Sequence, residues 1–205
     1  MIVSFLASHG GSSARALIMA LRAGDPAAEP GMLITNNRAA PILHWCLEQD
    51  MPVRHISAKT HRGAEAADEA IADVLRAART DVVVCSGYMK AIGPRTLAAF
   101  PGRILNIHPA LLPRHGGRGM YGDHVHEAVL AAGDSESGAT VHVVNADIDE
   151  GPIVLQQGVP VLPGDTVAGL RARIQAIEPT LYLAALRHFL AGIEADIASP
   201  NQGTD

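Results

Sequence analysis

Asp81-Val82-Val83-Val84-Cys85 is an apolar run with no polar residue alternating through it. A strand with one wet face alternates, so an unbroken run of this kind belongs to a strand buried on both faces, as in parallel sheets covered by helices. Ile2–Leu6 reads the same way, and Gly31–Thr35, Pro52–Ile56 and residues 103–107 complete a set of five strands. Between them, helical spacing or composition covers Ala14–Arg22, Ala39–Gln49, Ala64–Ala78 and Pro94–Phe100. The Glu and Asp residues of the third of these helices are assigned to its solvent face. Strands alternating with helices wind into a right-handed parallel sheet. After Pro113 come a Gly-rich loop, Arg114–Gly122, a helix over Asp123–Ala132 and strands over Gly138–Asn145 and Ile153–Val161. Pro163-Gly164-Asp165-Thr166 then opens a long helix over roughly 166–191.

The fold class is therefore α/β: one Rossmann-like domain over residues 1–193, its mostly parallel sheet flanked by helices, with a loose tail from 194 to 205. A chain of 205 residues that is 48% apolar has ample material for one core, and with 3% aromatics that core is aliphatic. A formal charge of −5 lacks the basic field that nucleic-acid binding needs, so no nucleic-acid partner is expected. Cys46 and Cys85 are isolated thiols without metal spacing, which suits a reducing compartment. No window approaches the ~18 apolar residues of a membrane span, and Met1–Ala7 is too short and lacks the basic start of a secretory leader. These features predict a soluble cytoplasmic protein with no membrane partner.

Three stretches carry chemistry. In Arg103-Ile104-Leu105-Asn106-Ile107-His108-Pro109-Ala110-Leu111-Leu112-Pro113, Asn106 and His108 alternate onto one strand face. Their amide and imidazole converge at the strand's end, where open α/β sheets place their ligand crevice. The acidic loop Asp147-Ile148-Asp149-Glu150-Gly151-Pro152 offers two alternative carboxylates. Ser8-His9-Gly10-Gly11-Ser12-Ser13 stands between a strand and a helix, an arrangement that exposes amides to an anion, although it is neither a P-loop nor a GxGxxG pattern. The His115, His124 and His126 cluster has spacing unsuited to zinc, and no metal is expected. Arg95, Arg103, Arg114 and Arg118 read as surface residues, some within reach of an anionic substrate tail.

The segments Asn106-x-His108-Pro109-x-Leu111-Leu112-Pro113, Ser137-Gly138-Ala139-Thr140-Val141-His142 and Asp149-x-Gly151-Pro152-Ile153 together resemble the folate-dependent formyltransferases, over residues 2 to about 190. The resemblance implies an N-terminal half on the phosphate and nucleotide side and a C-terminal half completing a folate cleft. It implies catalytic roles for Asn106, His108 and Asp149, and substrate binding by Gly11, Ser12, Ser13 and Glu178. Met89, Lys90, Ile92, Val144 and Asp147 fall on its folate pocket. The implied reaction moves formyl from 10-formyltetrahydrofolate to the amine of glycinamide ribonucleotide in purine biosynthesis, without a metal and with only small-molecule partners, in a monomer or homodimer. An amino-sugar nucleotide acceptor, or a non-catalytic phosphate-binding protein, are the alternatives. Methionyl-tRNA and deformylase activities are disfavoured, since each would call for a further domain.

An Asn amide and a protonated or hydrogen-bonding imidazole suit the oxyanion of such a transfer, and a nearby carboxylate is expected to favour the imidazolium. His9, Ser13 and Pro179 depart from the family's common Gly, Asn and His, and the loop Arg114–Gly122 is longer than usual, with the four glycines from which functional lids are often built. These departures bear on the acceptor more than on the donor.

Overall fold

The computed structural model describes residues 1–198 of the chain. Five strands form the parallel part of one sheet: β1 (Ile2–Leu6), β2 (Glu29–Thr35), β3 (Val53–His55), β4 (Val82–Cys85) and β5 (Ile104–His108). Helices α1 (Ser12–Arg22), α2 (Pro41–Glu48), α3 (Ala64–Ala77) and α4 (Pro94–Ala99) make the crossovers. Helix α5 (Asp123–Ala131) then leads to β6 (Glu136–Val143) and β7 (Ile153–Pro160), and α6 (Val167–Ala198) closes the fold. The sheet order is β3-β2-β1-β4-β5-β6-β7, with β6 antiparallel to both β5 and β7.

The order reverses direction at β1 and β4, the central pair. β4 is buried throughout and β1 nearly so, as their unbroken apolar runs require. One core layer gathers Phe5, Leu17, Ile18, Leu105, Leu170 and Leu186 under α1 and α6. The other gathers Leu6, Ile34, Ile71, Leu75, Val83 and Ile104 under α3. Tyr182 of α6, fully buried, directs its hydroxyl at the carbonyls of Cys85 (3.1 Å) and Leu105 (2.9 Å). Cys85 ends β4 and Leu105 immediately precedes Asn106 on β5, so the last helix is tied to the two strands that carry the site.

The helix predicted to end near 191 continues to Ala198, because Leu186 and Leu190 keep its inner face packed against the core. Residues 199–205 of the expected tail lie outside the described residues. A second difference concerns α3. Its acidic residues are not all on the solvent face: Asp68 is buried and its carboxylate accepts from the Arg95 N–H (2.8 Å), the Thr96 N–H (3.1 Å) and the Thr96 hydroxyl (2.6 Å). These are first-turn groups of α4, which has no cap of its own. A carboxylate there satisfies orphan donors and opposes the positive helix end. It also fixes the C-terminal end of the loop 86–93, which leaves β4 for the central cavity of the molecule.

Asp68→Ala is expected to lower stability by about 2 kcal/mol, the cost of a lost cap plus buried amides left unpaired. Asp73→Ala, on the same helix with only an exposed ion pair to Arg76, costs under ~0.5 kcal/mol. Urea unfolding of the two variants measures the difference.

Candidate active site

Asn106 and His108 stand on β5 with their side chains on one face. Across the antiparallel ladder Asn106 lies directly opposite His142, and His108 opposite Thr140. Asn106 Nδ2 is 3.2 Å from His142 Nε2. An amide nitrogen only donates, so His142 Nε2 accepts and its proton sits on Nδ1, which bonds the Val143 carbonyl at 3.2 Å. His142 thus holds the Asn106 amide in place and leaves its second N–H free. His108 Nε2 is 2.8 Å from the His115 carbonyl, which can only accept, so Nε2 is protonated and Nδ1 is the open nitrogen.

Asp149 closes the group. Its Oδ2 is 3.5 Å from His108 Nδ1, its Oδ1 is 3.6 Å from His142 Nε2, and the Gly117 N–H donates to Oδ2 at 3.0 Å. Its backbone is left-handed (φ 61°), a conformation Asp tolerates better than most residues but which still stores strain. The following turn depends on Gly151, where any Cβ would collide with the Val143 carbonyl. Asp147, the other carboxylate of this loop, is exposed on the cavity wall. The geometry therefore separates the two acids that the sequence left as alternatives.

The loop Pro109–Pro113 is fixed from behind. Thr140 donates to the Ala110 carbonyl (2.6 Å) and accepts from the Leu112 N–H (3.1 Å), and Gln156 donates to the Leu112 carbonyl (2.8 Å). His115 then bonds Asp134 at 2.7 Å. The Gly-rich loop 114–122 therefore starts from an anchored end, with left-handed glycines at 117, 119 and 122 further along.

Burial pushes the pKa of His108 below its ordinary value, and Asp149 offsets this only in part. His126 and His142 are lowered for the same first reason. Asp149 does favour the imidazolium, as expected, but desolvation is the larger effect and sets the net direction downward.

One cavity of about 840 Å³ joins these elements. Gly10, Gly11 and Ser12 line it, together with Met89, Lys90, Ile92, Val144 and Asp147, the group Asn106, His108 and Asp149, and Glu178. Ser13 does not. The first turn of α1 rotates it inward, where it is 1% exposed and packed in the fold. Gly11 has φ 58°, and a side chain there would meet Ile42, so the residue is required by the turn's own packing.

Sequence reasoning passed over Arg15, Tyr121, Arg171 and Gln175 on the cavity wall, and left His142 as either a core residue or a support for the site residues. The β5–β6 register that places His142 opposite Asn106 is not visible in the chain, whereas Arg171, Gln175 and Glu178 follow helical i, i+4, i+7 spacing that marks one face. The three clustered histidines separate: His115 pairs with Asp134, His124 with Glu127 at the surface, and His126 is buried. Among the described residues no group of three or more His, Cys, Asp or Glu side chains is disposed to hold a metal ion. No described helix is long and apolar enough to cross a membrane.

Residues 1–186 match the family model described as Formyl transferase. The chain belongs to the formyl transferase family. It is 40% identical over 182 residues to the phosphoribosylglycinamide formyltransferase of Mycobacterium tuberculosis, covering 88% of this chain and 81% of that protein. It is 34% identical over 190 residues to the enzyme of the same name from Haemophilus influenzae, covering 93% and 87%. The crystal structure of glycinamide ribonucleotide transformylase 1 from Symbiobacterium toebii superposes with a TM-score of 0.88 at 36% identity, covering 94% of this chain and 88% of that one. A formyltetrahydrofolate deformylase from Pseudomonas syringae shares the fold at 22% identity and a TM-score of 0.82, covering 93% of this chain and 61% of that one. A folate-type formyl donor goes with the family, and the apolar Met89 and Ile148, both well exposed at the cavity, suit a flat ring system.

Glu178 is partly buried with no ion pair among the described residues, and burial pushes its carboxyl up to about 7. Its unfolded value lies lower, so its contribution to stability is present at low pH and lost as pH rises through 7. Glu178→Gln is therefore expected to be more stable than the unsubstituted protein at pH 8, with the gap narrowing as pH falls from 7 toward 4.5. Urea unfolding across that range measures it, and a gap independent of pH would assign the effect to packing.

Proposed function

We propose that this formyltransferase moves the formyl group of 10-formyltetrahydrofolate to the amine of glycinamide ribonucleotide in purine biosynthesis. The reading rests on one observation above the others: Asn106, His108 and Asp149 converge on the wall of a single cavity that the Gly10–Ser12 turn also lines. A donor with an N-formyl group and an acceptor with an amine and a phosphate fit that layout. The named relatives from Mycobacterium tuberculosis and Haemophilus influenzae support the same acceptor.

The donor supplies an electrophilic formyl carbon. The acceptor amine attacks it, forming the new C–N bond and placing negative charge on the formyl oxygen. The free Asn106 N–H is aimed at that charge, in a site where burial strengthens the interaction. The attacking nitrogen must then shed a proton. Neutral His108 takes it at Nδ1, directly or through one water, and Asp149 stabilises the imidazolium that results. The same proton returns to the departing folate nitrogen as the bond from that nitrogen to the formyl carbon breaks. No side chain acts as a nucleophile, in keeping with the thiols of Cys46 and Cys85, which burial pushes up to about 11 and about 12.

Formyl transfer to a panel holding glycinamide ribonucleotide, an amino-sugar nucleotide and a simple amine, followed by the absorbance change of the folate product, tests the acceptor. Preference for the amino-sugar nucleotide would overturn the assignment. Within the preferred reaction, Asp149→Asn is expected to lower kcat by at least ~100-fold with KM little changed, since the charge acts on the imidazolium formed during reaction. Asp147→Asn removes the same charge from the exposed side of the loop and should cost far less. Equal losses in the two variants would contradict the distinct roles of these two carboxylates.

A further inference from the structure

Arg15 stands one helical turn after Gly11 on α1, and it lines the cavity beside Gly10, Gly11 and Ser12. Side chains on a helix lean toward its N-terminus, which carries a long Arg side chain back toward that turn. Its guanidinium carbon lies 5.3 Å from the centre of the Trp45 ring. Stacking of this kind occupies the face of the guanidinium and leaves its in-plane N–H donors available. Yet its Nε is buried and has no hydrogen-bond partner among the described residues. Arg76, Arg114, Arg171, Arg173 and Arg187 all meet a carboxylate, whereas no such pair involves Arg15 among the described residues.

The adjoining helix end is also unbalanced. α1 has no side-chain cap and no acidic residue in its first turn. A cation with an unused, desolvated donor and an uncapped positive helix end therefore line the same cavity. We propose that Arg15 makes the acceptor site selective for a phosphomonoester, by binding the phosphate from the side while the α1 amides bind it from below. A phosphomonoester carries a charge of about −1.5 to −2 at neutral pH and has three tetrahedral acceptor oxygens, enough to satisfy the helix end and the guanidinium together. A carboxylate has one charge and two coplanar oxygens, and serves one of them well.

The proposal rests on the acceptor reading above and adds the residue that enforces it. The test compares the unsubstituted enzyme, Arg15→Gln and Arg15→Lys with glycinamide ribonucleotide and with its dephosphorylated riboside, and follows the melting temperature of each protein against inorganic phosphate. Arg15→Gln is expected to raise KM for the ribonucleotide roughly 10- to 100-fold, the worth of a charge-assisted hydrogen bond, with kcat nearly unchanged. KM for the folate donor and kcat/KM for the riboside should stay as they are, and stabilisation by phosphate should need a correspondingly higher phosphate concentration. Arg15→Lys, which keeps the charge but not the planar fork, should fall between.

Equal losses for ribonucleotide and riboside, or equal phosphate stabilisation of all three proteins, would reduce Arg15 to a packing partner of Trp45. Arg15-dependent stabilisation by phosphate in an enzyme that fails to formylate glycinamide ribonucleotide would uphold the anion site and overturn the acceptor instead.

Discussion

The site depends on where one carboxylate is held. Asp149 reaches His108, His142 and the Gly117 amide together, and it does so from a left-handed backbone conformation. That conformation persists because its surroundings enforce it. Gly151 packs against the Val143 carbonyl with no room for a side chain, and the β6–β7 ladder fixes both ends of the loop. The strain of a single residue is small beside the two strands that hold it. In return the carboxylate faces a histidine that burial would otherwise keep as a weak base.

The parallel half of the sheet and its antiparallel addition divide the labour. The parallel strands deliver the turn at Gly10–Ser12, the loop 86–93 and the Asn106–His108 pair at one edge, because parallel strands all end on the same side. The antiparallel hairpin supplies what side chains on β5 alone lack: His142 to hold the Asn106 amide, Thr140 and Gln156 to hold the loop after His108, and Asp149 itself. Tyr182 and Asp68 reach into the same region from the two helical layers. Most of the buried polar groups near the site are thus spent on holding backbone.

The strands and helices were legible because their periods are clear, Val82–Cys85 most of all, and the one-face placement of Asn106 and His108 followed from strand geometry alone. What escaped the sequence has a common cause, namely contacts between residues distant along the chain. Asp68 looks like any acidic residue on an Ala-rich helix until α4 is seen to start beside it. The lowered pKa of His108 comes first from its depth of burial, which the order of residues does not disclose. Ser13 points inward because α1 begins one residue before it, and a shift of one position on a helix turns a wall residue into a core residue. Arg15 carries no motif, and only its place beside Trp45 and the uncapped helix end sets it apart.

The balance between burial and Asp149 at His108 decides whether the transfer centre starts as a base. NMR titration of the His108 ring, in the unsubstituted protein and in Asp149→Asn, measures that balance directly. A folded-state pKa below the ordinary histidine value, falling further when the Asp149 charge is removed, is the predicted result. A pKa above that value, or one unmoved by the substitution, would contradict a neutral resting His108 tuned by Asp149.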